Sequence, residues 1–126
     1  MQLPPGRRFD VLALLRDPRL LRGMVGQLRK EGFVVDVARD LEEARKAFFA
    51  SGGHHCLLVA PDVAPGMARQ VLNSLRTVDP DLPAATFGTL ALDPDARTAR
   101  LYAYHPSSRA GVGAFLRFLR GLPERA

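Results

Sequence analysis

Three groups of residues have the types and spacing to carry chemistry: the run His54-His55-Cys56, the separate carboxylates Asp17 and Asp62, and a large set of arginines. Imidazole and thiolate are the ligands of zinc, but they must converge on one ion. Neighbours along a strand point to opposite faces, and no CxxC or HxxxH spacing accompanies the run. No metal is therefore expected there, and the two histidines are expected to be solvated at the start of a strand. Cys56 is the only cysteine, which excludes an internal disulfide; inside an apolar run it is expected to be a buried, inert thiol. Neither GxGxxG nor GxxxxGK[ST] occurs, so no glycine-rich phosphate loop is present. No Ser/His/Asp spacing marks a nucleophilic triad. These residues point to no enzyme and no cofactor.

Sixteen of the 18 basic residues are Arg, and the net charge is +5. Arg pairs bidentately with carboxylates and phosphates, which favours acidic partners, although genome base composition produces the same bias. Nucleic acid stands as an alternative partner on charge. No aromatic residues interleave with the basic ones, and no helix-turn-helix or zinc finger fits, so it is the weaker alternative. At 126 residues the chain fits one domain. No apolar run reaches the ~20 residues that span a bilayer, and no signal peptide is visible, so a cytoplasmic protein without membrane insertion is expected.

The elements that must position these groups follow from periodicity. Phe9 to Leu15 reads as a buried strand. Pro18 to Lys30 reads as a helix with Leu21, Met24, Val25 and Leu28 on one face and Gly32 as its C-cap. Phe33 to Val37 is a second strand. Asp40 caps a second helix with Glu43 as its capping-box partner, Leu41, Ala44 and Phe48 inward, and Gly52-Gly53 at its end. Cys56 to Ala60 is a continuous apolar strand, as in a sheet covered on both faces. Pro65-Gly66 reads as a turn before a helix with Ala68, Val71, Leu72 and Leu75 inward. Pro83 to Phe87 is a weak fourth strand, Asp93-Pro94 starts a short helix to Ala99, and Leu101 to Tyr104 is a fifth strand. Ser107 or Ser108 caps a last helix with Val112, Phe115, Leu116 and Leu119 inward.

Five strands alternating with five helices demand a parallel sheet with helices on both faces. The expected fold is a flavodoxin-like (βα)5 three-layer sandwich, strand order 2-1-3-4-5, with the fourth helix short or irregular. The expected domain is 9–122, with a flexible N-terminus at 1–8 and a tail at 123–126. Ligands in such sheets sit beyond the carboxyl ends of the strands, which directs attention to Leu15 to Asp17, Pro61 to Pro65, Gly88 and His105.

At those residues the chain resembles the response-regulator receiver family along nearly its whole length. Leu57 to Met67 (LLVAPDVAPGM) is similar to the family's apolar strand, acceptor Asp, three residues and Pro-Gly-Met. Leu15-Arg16-Asp17-Pro18 sits where the family carries an acidic pair. Tyr102 to Pro106 (YAYHP) is similar to the family's aromatic-x-x-Lys-Pro. The resemblance implies phosphoryl transfer onto an Asp, with Mg²⁺ held by acids and with a Lys and a Ser/Thr contacting the product. It places Pro61 at the acceptor position, Leu15 and Arg16 at the metal acids, Gly88 at the Ser/Thr and His105 at the Lys. Proline offers no nucleophile, and Leu15 and Arg16 cannot hold Mg²⁺. Asp17 alone is too little for that ion. Asp62, one residue on, is the remaining candidate acceptor; strand alternation turns it elsewhere unless a bulge intervenes. The expectation is a pseudo-receiver: a signalling adaptor that binds another protein without phosphorylation.

Further expectations follow. His105 faces Asp17 across the former pocket, either plugging it or responding to pH. The peptide before Pro106 is expected to be cis, as the family implies. Tyr102 matches the family's switch aromatic and, with Gly88 unable to pull it, is expected in one rotamer. Arg19, Arg22, Arg29 and Lys30 from the first helix and Arg109, Arg117 and Arg120 from the last form a basic face for an acidic partner surface. Thr89 to Leu92 is apolar and poorly periodic; it is packed loop, or a contact through which the fourth helix, fifth strand and last helix form a homodimer.

Overall fold

Runs rich in Val, Leu and Ala form the strands of a single sheet, and amphipathic stretches form the helices that cover it. The computed structural model describes residues 9–17, 19, 22–87, 97–101 and 109–121. In chain order the described elements are β1 (Asp10–Leu14), α1 (Arg22–Lys30), β2 (Val34–Ala38), α2 (Leu41–Ala50), β3 (Cys56–Val59), α3 (Pro65–Arg76), β4 (Ala84–Phe87), β5 (Thr98–Leu101) and α4 (Arg109–Arg120). The sheet order is β2-β1-β3-β4-β5, with every neighbouring pair parallel. This is the flavodoxin-like order expected from β-α alternation. The start of the helix expected between β4 and β5, residues 93–96, lies outside the described residues.

α1 packs beside α4, and α2 beside α3. The two pairs occupy opposite faces, as right-handed crossovers require. β1, β3 and β4 are buried along their whole length because helices cover both of their faces. Leu12, Leu14, Leu57, Leu58, Phe87 and Phe115 are among the largest fully buried side chains, each stabilising the fold by about 1.5–3 kcal/mol. Cys56 lies in this core, as its apolar surroundings predict.

Element ends follow local chemistry. The Asp40 side chain accepts the Glu43 N–H at 2.8 Å, capping α2. The reciprocal half of the expected box differs: the Glu43 carboxylate takes the N–H of Arg39, at 2.9 Å, and also its guanidinium. Gly32 terminates α1 with φ 99°, and Gly53 follows α2 with φ 108°. Both lie in the left-handed region where a Cβ is disfavoured.

Two expected elements move. Pro65-Gly66 is the first turn of α3 rather than a turn before it, with Pro at the helix start, where its missing N–H costs no hydrogen bond. The fifth strand begins at Thr98, not Leu101, so Thr98 and Ala99 are strand rather than helix. Pairing decides this: the Ala84 N–H donates to the Arg97 carbonyl at 2.8 Å, and Ala84 to Phe87 run beside Thr98 to Leu101. The Arg76 guanidinium, bonded to the Leu82 carbonyl and the Thr98 hydroxyl, ties the end of α3 to this register.

Candidate functional site

The end of β1 is clamped from both sides. The Ala60 N–H donates to the Leu14 carbonyl at 2.9 Å, and the Leu15 N–H donates to the Ala38 carbonyl at 3.0 Å. Three strand ends therefore meet at Leu15, whose side chain is only 1% exposed. Leu15 closes the spot with hydrocarbon where the resemblance places an acid. Arg16 follows and is exposed, as is Pro61 at the end of β3.

Asp62 does not turn away. Its carboxylate accepts the Arg16 N–H at 3.2 Å and the Asp17 N–H at 2.8 Å. This corrects the expectation from strand alternation. β3 ends at Val59, and Ala60 to Val63 form a tight turn closed by the Val63 N–H on the Ala60 carbonyl. Alternation does not govern a turn, and Asp62 swings over the end of β1. A carboxylate is thus held at the top of the sheet by two backbone amides.

Asp17 is engaged as well. It accepts the Arg19 N–H at 2.9 Å and the Arg19 guanidinium at 3.2 Å. The Arg19 side chain, then its amide, hold the Asp17 carboxyl below the ordinary carboxylate range. Nearby, Arg39 in the same way holds Glu43 below its ordinary value, and Asp40 is occupied as the cap of α2. The open space here is a shallow hollow of about 300 Å³ lined by Arg16, Arg39 and Asp40. No group of three or more His, Cys, Asp or Glu side chains is placed to hold a metal among the described residues. Mg²⁺ asks for converging carboxylate oxygens. The acids at these strand ends, Asp17, Asp40, Glu43 and Asp62, are instead each bonded to a protein group, so they do not fit that ion. Gly88, Tyr102, His105 and the Pro106 peptide lie outside the described residues.

Two residues of the predicted basic face have partners within the chain and stay exposed. Arg19 is paired with Asp17, and the Arg29 guanidinium donates to the Val35 carbonyl at 2.8 Å. Arg22, Lys30, Arg109, Arg117 and Arg120 remain exposed on the α1–α4 side.

His54 departs from the expectation of a solvated ring, and His55 does so only in part. His54 is buried, with its Nε2 2.8 Å from an Asp36 carboxylate oxygen, its Nδ1 3.4 Å from the Ser51 hydroxyl, and the Phe48 ring beside it. His55 Nδ1 accepts the Asp10 N–H at 2.9 Å, and its ring stacks on Phe9. Both histidines tie the start of β3 to neighbouring strands, His54 buried and His55 still partly open to solvent as expected. The pairing signal is weak in sequence, because Asp36 and His54 lie on different elements with no motif between them.

No protein-family model matches the chain, and no curated protein matches it by sequence. Solved structures do match. A two-component response regulator from Clostridium difficile superposes with a TM-score of 0.66 at 18% identity, covering 90% of this chain and 97% of that one. A response regulator receiver protein from Sinorhizobium medicae gives 0.68 at 20% identity, covering 90% and 96%. The fold is that of a receiver domain. A chain of the complex between histidine kinase ThkA and response regulator protein TrrA, the latter from Thermotoga maritima, gives 0.65 at 17% identity, covering 88% and 97%. At these identities the receiver likeness establishes the architecture, and the chemistry rests on the residues just described.

Proposed function

We propose that this chain is a pseudo-receiver, a signalling adaptor that binds another protein without phosphoryl transfer and without enzymatic activity. One observation carries the reading: the Asp62 carboxylate is bonded to the Arg16 and Asp17 amides above a buried Leu15. A nucleophile must approach the phosphorus with a metal neutralising the transferred oxygens. Here the acid is held by two amides, and the position of the metal acids is taken by Leu15 and Arg16. Asp17 is the remaining carboxylate of that loop, and it is paired with Arg19.

A protein partner is supported by the fold neighbour found in complex with a histidine kinase. The face we assign to it is the α1–α4 side, through Arg22, Lys30, Arg109, Arg117 and Arg120, facing an acidic surface. Incubation with Mg²⁺ and a small phosphodonor, followed by intact mass measurement, tests the central point. No mass gain is expected, whereas an acid-labile phosphoryl gain mapped to Asp62 would replace this reading with that of an atypical response regulator. Pull-down with Arg117→Glu/Arg120→Glu tests the face: loss of the captured partner is expected, and undiminished capture would move the contact elsewhere. Duplex binding that falls steeply with salt would instead favour a nucleic-acid module.

A further inference from the structure

β2 is an edge of the sheet. The Val34 N–H donates to the Phe9 carbonyl and the Ala38 carbonyl accepts the Leu15 N–H. In a parallel ladder, alternate residues bond to the same neighbour, so Val34, Asp36 and Ala38 face β1 while Val35 and Val37 turn their N–H and C=O groups outward. The Arg29 guanidinium covers the Val35 carbonyl. Val37 has no such cover among the described residues and is 42% exposed, high for a large apolar side chain in a strand. An uncovered edge of this kind is a template for another strand.

The surroundings of Val37 select the occupant. Two hollows meet there, one toward α1 of about 310 Å³ and one toward α2 of about 640 Å³. Their floors include Leu15 and Val25 on one side and Ala47 and Ala50 on the other. Their rims carry Arg22, Arg29, Arg39 and Lys46 against a single lining carboxylate, Glu43, which Arg39 already pairs. The nearby Asp36 carboxylate is bonded to His54. The rim is therefore cationic. Two copies meeting edge to edge would bring these rims together, so like charge disfavours self-pairing.

We propose that the β2 edge, centred on Val37, is a docking site for an extended acidic segment of a partner protein, which adds to the sheet as a sixth strand. Its backbone pairs with the N–H and C=O of Val37. Its small apolar side chains enter the two hollows, and its carboxylates meet Arg22 and Lys46. Main-chain pairing supplies affinity and the alternate side chains supply selection. The proposal rests on the reading of the chain as a protein-binding module. The two fail separately: phosphoryl gain on Asp62 would end phosphate independence while leaving strand addition at β2 intact.

The test is selection of displayed random decapeptides on the full chain, with the enriched peptides synthesised and measured on variants. Enriched sequences are expected to be net acidic and to contain β-branched residues. Binding should weaken tenfold or more with Val37→Lys, and likewise with Arg22→Glu/Lys46→Glu, while Arg69→Glu on the exposed side of α3 leaves it unchanged. Every substituted residue is exposed, and circular dichroism of each variant checks folding. Exchange of the Val37 amide proton should slow at least tenfold on binding, a readout of main-chain pairing. Absence of enrichment, neutral or basic winners, indifference to Val37→Lys in a folded variant, or unchanged Val37 exchange would each overturn the proposal. A concentration-dependent dimer lost with Val37→Lys would overturn it in favour of a second copy.

Discussion

At the top of the sheet Asp62 is bonded to backbone amides and Asp17 to Arg19, and this gives testable consequences residue by residue. Asp62→Ala removes the acceptor shared by the Arg16 and Asp17 amides. Hydrogen exchange at both amides should accelerate about tenfold, the scale of one lost charge-assisted bond. Unchanged exchange would mean that the carboxylate does not hold this loop in solution. Asp17 and Glu43 have folded pKa values depressed by Arg19 and Arg39, respectively. A depressed carboxylate stabilises the fold above its ordinary unfolded value of about 4, and that contribution fades as pH falls through the lower folded value. Both pairs are exposed, so the effect on stability is small and the titration itself is the better readout. Arg19→Ala should move the Asp17 midpoint upward toward the ordinary carboxylate range, as seen by carbon-detected NMR. An unmoved midpoint would remove Arg19 as the cause.

At the scale of elements, the apolar pattern made most of the fold legible. Met24, Val25 and Leu28 in α1, Ala44 and Phe48 in α2, and Ala68, Val71, Leu72 and Leu75 in α3 are buried as their spacing requires. Boundaries set by pairing were not legible. Thr98-Ala99-Arg100 carries no strand signal of its own and becomes strand only because β4 lies beside it. The direction of Asp62 was hidden for a related reason, since it depends on whether the chain is strand or turn at Ala60. The His54–Asp36 contact was hidden because tertiary partners leave no periodic trace. Two element-level measurements follow. Asp40→Ala should lower stability by about 1 kcal/mol through loss of the α2 cap, read as a shift in denaturant midpoint with the slope unchanged. His54→Ala leaves the space beside Phe48 and removes the imidazole bonded to Asp36; it should cost about 1–3 kcal/mol. Stability equal to that of the parent protein would show that the buried imidazole does not tie β3 to β2.

On the scale of the whole molecule, a receiver architecture carries a rearranged set of charges at the carboxyl ends of its strands. The acids there, Asp17, Asp40, Glu43 and Asp62, are distributed among arginines, backbone amides and a helix cap. Two states of unequal ligand affinity are needed before a ligand can switch a protein. On the proposed reading, the Asp62 carboxylate already occupies the Arg16 and Asp17 amides, phosphate has no differential hold on this fold, and partner binding is set by the surface alone. Beryllofluoride with Mg²⁺ mimics a phosphorylated carboxylate, so an amide correlation spectrum recorded with and without both reagents tests this account most directly. The predicted result is superposable spectra, with the Arg16, Asp17 and Asp62 amides unmoved at saturating reagent. Saturable shifts centred on those three amides would contradict it.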